Sequence, residues 1–360
     1  MKHIVMIGPS PESRGGIASV IRSYKDAELF ARWPIFYLST HVEGNRLLKL
    51  FAAVRALSSF GFMIVTQQVA VLHVHVARRT SFWRKTVFIL FAFAARCPVI
   101  IHLHSGGFWD FYWKECGSSR QRLVRFLLDH ATYIVVLTHE WVNQLMPITK
   151  NINIRHIPNY ILSTAIPAIS YTATTVNQNV LFLGRLTKEK GFPELLDAMQ
   201  IVNRVAPKCR LVCAGTGDSA EVHRQIASQN LESVVDLHSW VEGQDKYRLL
   251  KQATLFVLPS HYEGIPMSII EAMAFGIPVI ATHVGGIPDM ITHGKEGLLV
   301  QPGDGEGLGQ AIVALLNNPR LRAAMSVACQ RKFQHAFSDH AVLPQLELLF
   351  DTVGVQHIAA

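Results

Sequence analysis

Charge is scarce in this sequence: Asp, Glu, Lys and Arg make up 17% of 360 residues, against 49% for apolar types. That balance excludes a disordered chain, which needs high charge and low hydrophobicity to stay unfolded. Cysteine is sparse too. Cys97, Cys116, Cys209, Cys213 and Cys329 are odd in number and scattered, which argues against a disulfide framework and fits a reducing cytoplasm. Cys209 and Cys213 lie in the strand-like KCRLVCAG, where a buried position is expected rather than a metal site. No His/Cys/Asp/Glu set has zinc spacing and no Asp-x-Asp motif occurs, so a metal-free site is expected. The apolar run TVFILFAFAA, 86–95, is ten residues long between Arg84, Lys85 and Arg96. It is too short to span a bilayer, and a buried helix is expected. No secretory signal is read at MKHIVMIGPSP, which runs straight into a strand and a glycine loop. Internal repeats, low-complexity tracts and nucleic-acid motifs are lacking as well, so no nucleic-acid partner is expected.

The charge that is present is uneven. Residues 1–170 carry 19 Lys+Arg against 8 Asp+Glu, a balance of +11; residues 171–360 carry 15 against 18, a balance of −3. The first half is therefore expected to meet something anionic. Arg78, Arg79, Arg84, Lys85, Arg120, Arg122 and Arg125 are interleaved with Phe82, Trp83, Phe108, Trp109, Phe111, Tyr112 and Trp113. That mixture suits an anionic membrane surface, with a merely solvated basic face as the alternative.

Short β-branched runs alternate with amphipathic segments, the pattern of a parallel α/β sheet. In the first half the strands are expected at 3–8, 69–76, 98–104 and 133–139. In the second they are expected at 179–186, 209–215, 234–240, 253–260, 277–283 and 296–302. STAIPAISYTATTVNQN, 163–179, has the composition of a linker. The expected organisation is a domain over 1–165, a linker over 166–178 and a second domain over 179–338. A helix within 339–360 would cross back to the first domain. Both domains are expected as doubly wound, Rossmann-like parallel sheets facing a central cleft.

The densest chemistry lies in HYEGIPMSIIEAMAFG, 261–276. Pro266 fits the first position of a helix running to about Phe275, with Gly276 ending it and Pro278 preventing its continuation. The free N–H groups of Gly264, Ile265, Met267 and Ser268, on either side of Pro266, make a phosphate site at the carboxyl edge of a strand. Glu271 lies ~7.5 Å along the axis from Pro266 at 1.5 Å per residue. With the turn added, the Glu263 and Glu271 carboxylates are on the order of 10 Å apart, wider than the ~5.5 Å of a retaining glycosidase pair. Such spacing suits a ligand with two hydroxylated ends joined by a diphosphate: Glu263 at a sugar, Glu271 at a ribose. Arg185 and Lys190, in GRLTKEKG after a strand, would neutralise that diphosphate as it leaves. Gly15 and Gly16, before a helix from Ile17, allow a second phosphate nest. AGTGD, 214–218, lacks the third glycine of a dinucleotide fingerprint, which disfavours a nicotinamide cofactor. His73 and His75 alternate along one strand and are expected to be packed; His102 and His104 repeat the pattern, with His104 at the strand's open end.

EGIPMSIIEAMAFGIPVIATHVGGIPDMI (263–291), with GLLVQPGD (297–304) and NVLFLGRLTKEKGFPELLDAM (179–199), resembles the glutamate-x7-glutamate signature of the retaining glycosyltransferases of family 4, which have the GT-B fold. IPNY (157–160), GPSPESRGGIASV (8–20) and HLHSGG (102–107) extend the resemblance more thinly toward the N-terminus. It implies hexosyl transfer from a UDP- or GDP-linked sugar to a saccharide or polyprenyl-diphosphate-linked acceptor in surface polysaccharide synthesis. It further implies diphosphate binding at Arg185 and Lys190, contact of His104 with the transferred sugar, and a nucleotide base near 214–218 and 239–243. No cofactor is implied, and the expected location is the cytoplasm, with the basic first domain on the inner membrane face. A nucleotide-sugar epimerase or hydrolase on the same scaffold, a nicotinamide oxidoreductase, and a non-catalytic membrane-associated partner are the alternatives.

Overall fold

The computed structural model describes residues 2–166 and 178–358. The chain divides into two compact units, Met1–Leu162 with Asp339–Ala360, and Ser163–Ser338. Residues 167–177, most of the 166–178 linker expected from composition, lie outside the described residues.

The first unit is built on six parallel strands: β1 (His3–Gly8), β2 (Ile35–Ser39), β3 (Val69–Val76), β4 (Val99–Leu103), β5 (Tyr133–Val136) and β6 (Ile154–His156). Their order is β2-β1-β3-β4-β5-β6. The central strands are continuous apolar runs because helices cover both faces of a parallel sheet, and β4 is buried along its whole length. The two strands that composition does not announce, β2 and β6, are the two edges of this sheet. Edge strands are half solvated and short, so neither shows a long apolar run. The strand order reverses direction between β1 and β3, which opens a crevice at their carboxyl ends.

The Asp339–Thr352 helix packs within the first unit. Phe350 meets the rings of Trp33 at 5.2 Å and His73 at 5.8 Å, and Glu347 pairs with Arg32. Asp339 N–H donates to the Ile161 carbonyl at 3.2 Å.

The second unit repeats the plan with β7 (Asn179–Leu183), β8 (Arg210–Ala214), β9 (Val235–His238), β10 (Leu255–Leu258), β11 (Val279–Thr282) and β12 (Gly297–Val300). All six strands fall inside the runs expected from sequence. The order β12-β11-β10-β7-β8-β9 reverses between β7 and β10. The loops after these two adjacent strands carry Arg185, Lys190 and Glu263.

Two helices of the first unit depart from expectation. The 86–95 run forms part of the Thr80–Ala94 helix, and only one face of it is buried. Phe88, Ile89 and Ala92 are inside, whereas Val87, Leu90 and Phe91 are 39–49% exposed. The Arg46–Val65 helix, 20 residues, is apolar over a longer span than 86–95. Arg55, Ser58, Ser59 and Gly61 interrupt its apolar run, which conceals it in the sequence.

Candidate functional site

In the second unit the chain leaves β7 through Gly184 and Arg185, makes a short 3-10 turn over Lys188–Lys190, and enters the Phe192–Val205 helix at Gly191. Gly191 has φ +73, and a Cβ there would lie 1.9 Å from the Pro259 carbonyl oxygen. The loop after β7 is thus pressed against the end of β10. Two contacts staple it there: His261 N–H donates to the Glu189 carbonyl at 3.0 Å, and His261 Nε2 meets Glu194 Oε1 at 2.9 Å.

This approach brings Lys190 Nζ to 2.5 Å from Glu263 Oε1, while Ser260 Oγ donates to the same oxygen at 2.7 Å. The Glu263 side chain is only 8% exposed, and a buried carboxylate persists when a cation and a hydroxyl both satisfy it. Lys190, expected as a cation for a diphosphate, is here the counterion of Glu263. Arg185 is exposed, with no ion-pair partner among the described residues.

The helix spans Met267–Ala274, and Pro266 is its N-cap rather than its first helical residue. The ψ of 123° at Pro266 is extended, yet its carbonyl already accepts from Ile269 N–H at 3.1 Å. Pro266 has no capping side chain, and no acid lies in the first turn. Half-buried Gly264, Met267 and Ser268 stand at this uncapped end, while Ile265 and Pro266 are buried beneath it. Gly276, φ +68, follows the helix as expected. Glu271 is held at 2.6 Å by Lys246 Nζ, from the Gly243–Gln252 helix. Burial alone would lower the Lys246 pKa. The charge and hydrogen bond of Glu271, with Tyr247 and Glu242, outweigh it and hold the ammonium above the ordinary lysine value.

Val284-Gly285-Gly286 closes the site from below. Gly286 N–H donates to the Gly264 carbonyl at 3.1 Å, and a Cβ on Gly285, φ +53, would meet the Glu263 carbonyl oxygen at 1.9 Å. Gly285→Ala is therefore expected to cost about 2–4 kcal/mol, from left-handed strain plus overpacking. Gly294→Ala, at φ +82 with nothing within 4 Å of its Cβ, should lose only the strain term. Calorimetric melting of both variants checks this; equal losses would mean that the 284–286 turn does not brace Glu263.

In the 214–218 loop the glycine and the acid are engaged within the second unit. Gly215 packs against the Gly184 carbonyl, and Asp218 caps the Ser219–Ser228 helix by accepting from Ala220 and Glu221 N–H.

The first unit places Gly15, φ +138, as the N-cap of a helix that begins at Gly16, one residue before the expected Ile17. A Cβ on either glycine would meet nothing within 4 Å, so the space above the loop is open. The preceding Arg14 N–H already donates to Glu43 Oε1 at 2.8 Å.

His104 follows β4, half-buried, with its N–H on the Val76 carbonyl at 2.8 Å and its Nε2 at 2.8 Å from His75 Nδ1. Strand register sets His75 opposite His102, and His73 Nε2 lies 3.3 Å from His102 Nδ1. The four rings form a ladder with centroid spacings of 4.1–5.5 Å. His73, His75 and His102 bring ligand atoms within 4.8 Å of one another, a cluster no sequence spacing announces because two strands build it. Burial pushes the His73 and His104 pKa values down to about 3 and those of His75 and His102 well below normal. The charge acting on His75 and His104 from outside the ladder is that of Lys85, which is buried, hydrogen-bonded to Ser81 and itself pushed down to about 7. The depressed values keep the rings neutral near pH 7, and through His75 the ladder holds the His104 ring.

The basic, aromatic segment is mostly interior. Phe82, Phe108, Phe111 and Tyr112 are at most 2% exposed, Arg79 pairs with Glu115 at 2.6 Å, and Arg120 lies over the Trp83 ring. Only Trp113 of these aromatics is exposed beyond half, so most of the segment's rings lie away from the surface.

Residues 173–332 match the family described as glycosyl transferases group 1. The 2-deoxystreptamine N-acetyl-D-glucosaminyltransferase of Niallia circulans is 29% identical over 176 residues, covering 49% of this chain and 45% of that protein. The chain spans about half the length of the curated relatives it matches. Sucrose-phosphate synthase from Thermosynechococcus elongatus superposes with a TM-score of 0.81 at 20% identity, covering 98% of this chain and 99% of that one. An Anabaena protein, HepE, solved with UDP and glucose, gives 0.75 at 18% identity, covering 97% and 99%. These two structures establish a shared fold.

Proposed function

We propose, for a chain whose residues 173–332 match the family described as glycosyl transferases group 1, a glycosyltransferase that takes a hexosyl unit from a UDP- or GDP-linked sugar. The observation that carries this reading is the pair of lysine–glutamate contacts on either side of one uncapped helix start: Lys190–Glu263 and Lys246–Glu271. Each carboxylate is fixed by its lysine with an oxygen left for hydroxyl groups. Glu263 receives the donor sugar, and Glu271 receives the ribose. The diphosphate lies on the N–H groups of Met267 and Ser268, where the helix dipole favours an anion. Exposed Arg185 and the Lys190 ammonium supply the positive charge for the leaving diphosphate, so the charge balance requires no metal ion and no cofactor.

As the glycosyl bond breaks, positive charge grows at the anomeric carbon, close to the Glu263 carboxylate. The acceptor hydroxyl attacks from the face the diphosphate leaves, and its proton passes to a leaving phosphate oxygen, which retains the anomeric configuration. The first unit takes the acceptor, a saccharide or a polyprenyl-diphosphate-linked saccharide of a surface polysaccharide. A neutral His104, braced by His75, offers the sugar a hydrogen bond without adding charge.

Melting with a panel of nucleotides and nucleotide sugars tests the donor site. A ligand at 100 times its Kd stabilises by about 2.7 kcal/mol, a rise of roughly 5–10 °C for a unit of this size. Glu271→Ala should weaken that shift for every nucleotide, whereas the shift given by inorganic diphosphate should persist. A panel without any shift would end the donor-site reading.

A further inference from the structure

The Arg46–Val65 helix has two apolar faces. Ala56, Phe60 and Met63, at helical spacing, are at most 5% exposed and tie it to the first unit. On the outside, Leu47, Leu50, Phe51, Val54, Phe62 and Val65 are 54–80% exposed. A helix that is apolar all round belongs in a core or in lipid, and its core-side contacts account for only one of these faces. By length and composition residues 47–65 could cross a bilayer, with a mean hydropathy of 1.6. Crossing is ruled out by the fold: the helix joins β2 to β3, and both strands pair with β1.

Two more helices pack beside this one. Phe60 meets Phe88 of the Thr80–Ala94 helix at 5.8 Å, and Phe93 of that helix meets Phe126 of the Ser118–His130 helix at 6.0 Å. Val87, Leu90, Phe91 and Phe126, 39–49% exposed, extend the apolar surface across them. Charge on this layer has one sign over a long stretch. No Asp or Glu occurs between Glu43 and Asp110, while Lys49, Arg55 and Arg96 lie in or beside the first two helices. Exposed Arg122 and Arg125 flank Phe126 on the third. An apolar ridge about 30 Å long, at 1.5 Å per residue, bordered on its own helix only by cations, with Asp129 of the third helix engaged by Thr149 and the Lys150 N–H, matches a surface with acyl chains below and anionic headgroups around.

We propose that this face, led by the outer side of the Arg46–Val65 helix, docks on an anionic membrane. The helix lies flat, with its outer leucines and phenylalanines in the headgroup–acyl boundary and its basic residues on the lipid phosphates. Docking rests on this surface alone and is independent of the transfer reaction.

The test is flotation of the full chain with vesicles of phosphatidylglycerol and of phosphatidylcholine, together with light scattering. The wild type should float with phosphatidylglycerol, bind phosphatidylcholine at least tenfold more weakly, and be released from the anionic vesicles by salt. The double variant Phe51→Glu, Val54→Glu, at exposed positions, should lose at least tenfold in vesicle affinity while keeping its melting temperature and its nucleotide-induced shift. Absence of flotation at low salt, equal binding to both lipids, or a double variant that floats like the wild type would overturn the proposal. So would a wild-type dimer that the double variant splits, with no vesicle binding, because the face would then cover a second copy. The nucleotide shift is read on the same samples, so failure here and failure of the donor site are separate results.

Discussion

Lys190→Ala is expected to lower kcat/KM for the nucleotide-sugar donor by roughly 10²–10³-fold, the usual loss when one preorganised stabiliser of developing charge is removed. The same substitution strips Glu263 of its cation. With Ser260 as the remaining partner in a side chain 8% exposed, the stranded carboxylate should cost about 3 kcal/mol. Rate and stability therefore fall together. Arg185→Ala separates the two roles, because Arg185 is exposed and unpaired among the described residues: its rate should fall with little change in melting temperature. Steady-state kinetics and calorimetry on both variants check this. A Lys190→Ala enzyme that melts like the wild type would show that the Lys190–Glu263 contact does not hold the site.

Lowering the pH from 7 toward 5 is expected to unfold the first unit while the second survives. His73, His75 and His102 are at most 1% exposed, and burial holds all three pKa values below the ordinary one. Below a pH of about 6.5 the unfolded chain binds protons that the folded ladder refuses. Stability present above that pH is lost as the pH falls toward the folded values, about 3 for His73. Each group contributes a slope of about 1.4 kcal/mol per pH unit, and with His104, also held down to about 3, the four ladder histidines give roughly 5 kcal/mol per unit at most. A domain with 5–15 kcal/mol of stability is exhausted within a few units. Five of the six tryptophans (Trp33, Trp83, Trp109, Trp113 and Trp141) lie in the first unit, so tryptophan fluorescence against pH reports it. His102→Phe should flatten the slope by about a quarter; an unchanged slope would remove the ladder as the cause.

Much of the second unit is legible in the sequence, because its central strands are apolar runs and its glycines stand where backbones touch. The helix start at 264–268 and the opposed positions of Glu263 and Glu271 follow from local spacing. What local spacing cannot supply is the partner of each acid. Lys246 lies 25 residues before Glu271 on another helix, and Lys190 meets Glu263 only because β7 and β10 are neighbours. The histidine ladder is hidden for the same reason: alternation marks His73 and His75 as packed, while register with β4 decides what they pack against. The apolar face of the Arg46–Val65 helix is hidden differently, by polar residues that break the run without breaking the ridge.

The return of the Asp339–Thr352 helix to the first unit has a consequence for the order in which the protein comes into being. Trp33 is covered by Phe350 and His357, so the interior of the first unit is closed by residues synthesised after the whole of the second. On the ribosome, the unit begun first is finished last. Its sheet must wait, with the Trp33 side of its core unsealed, while 163–338 emerge and fold.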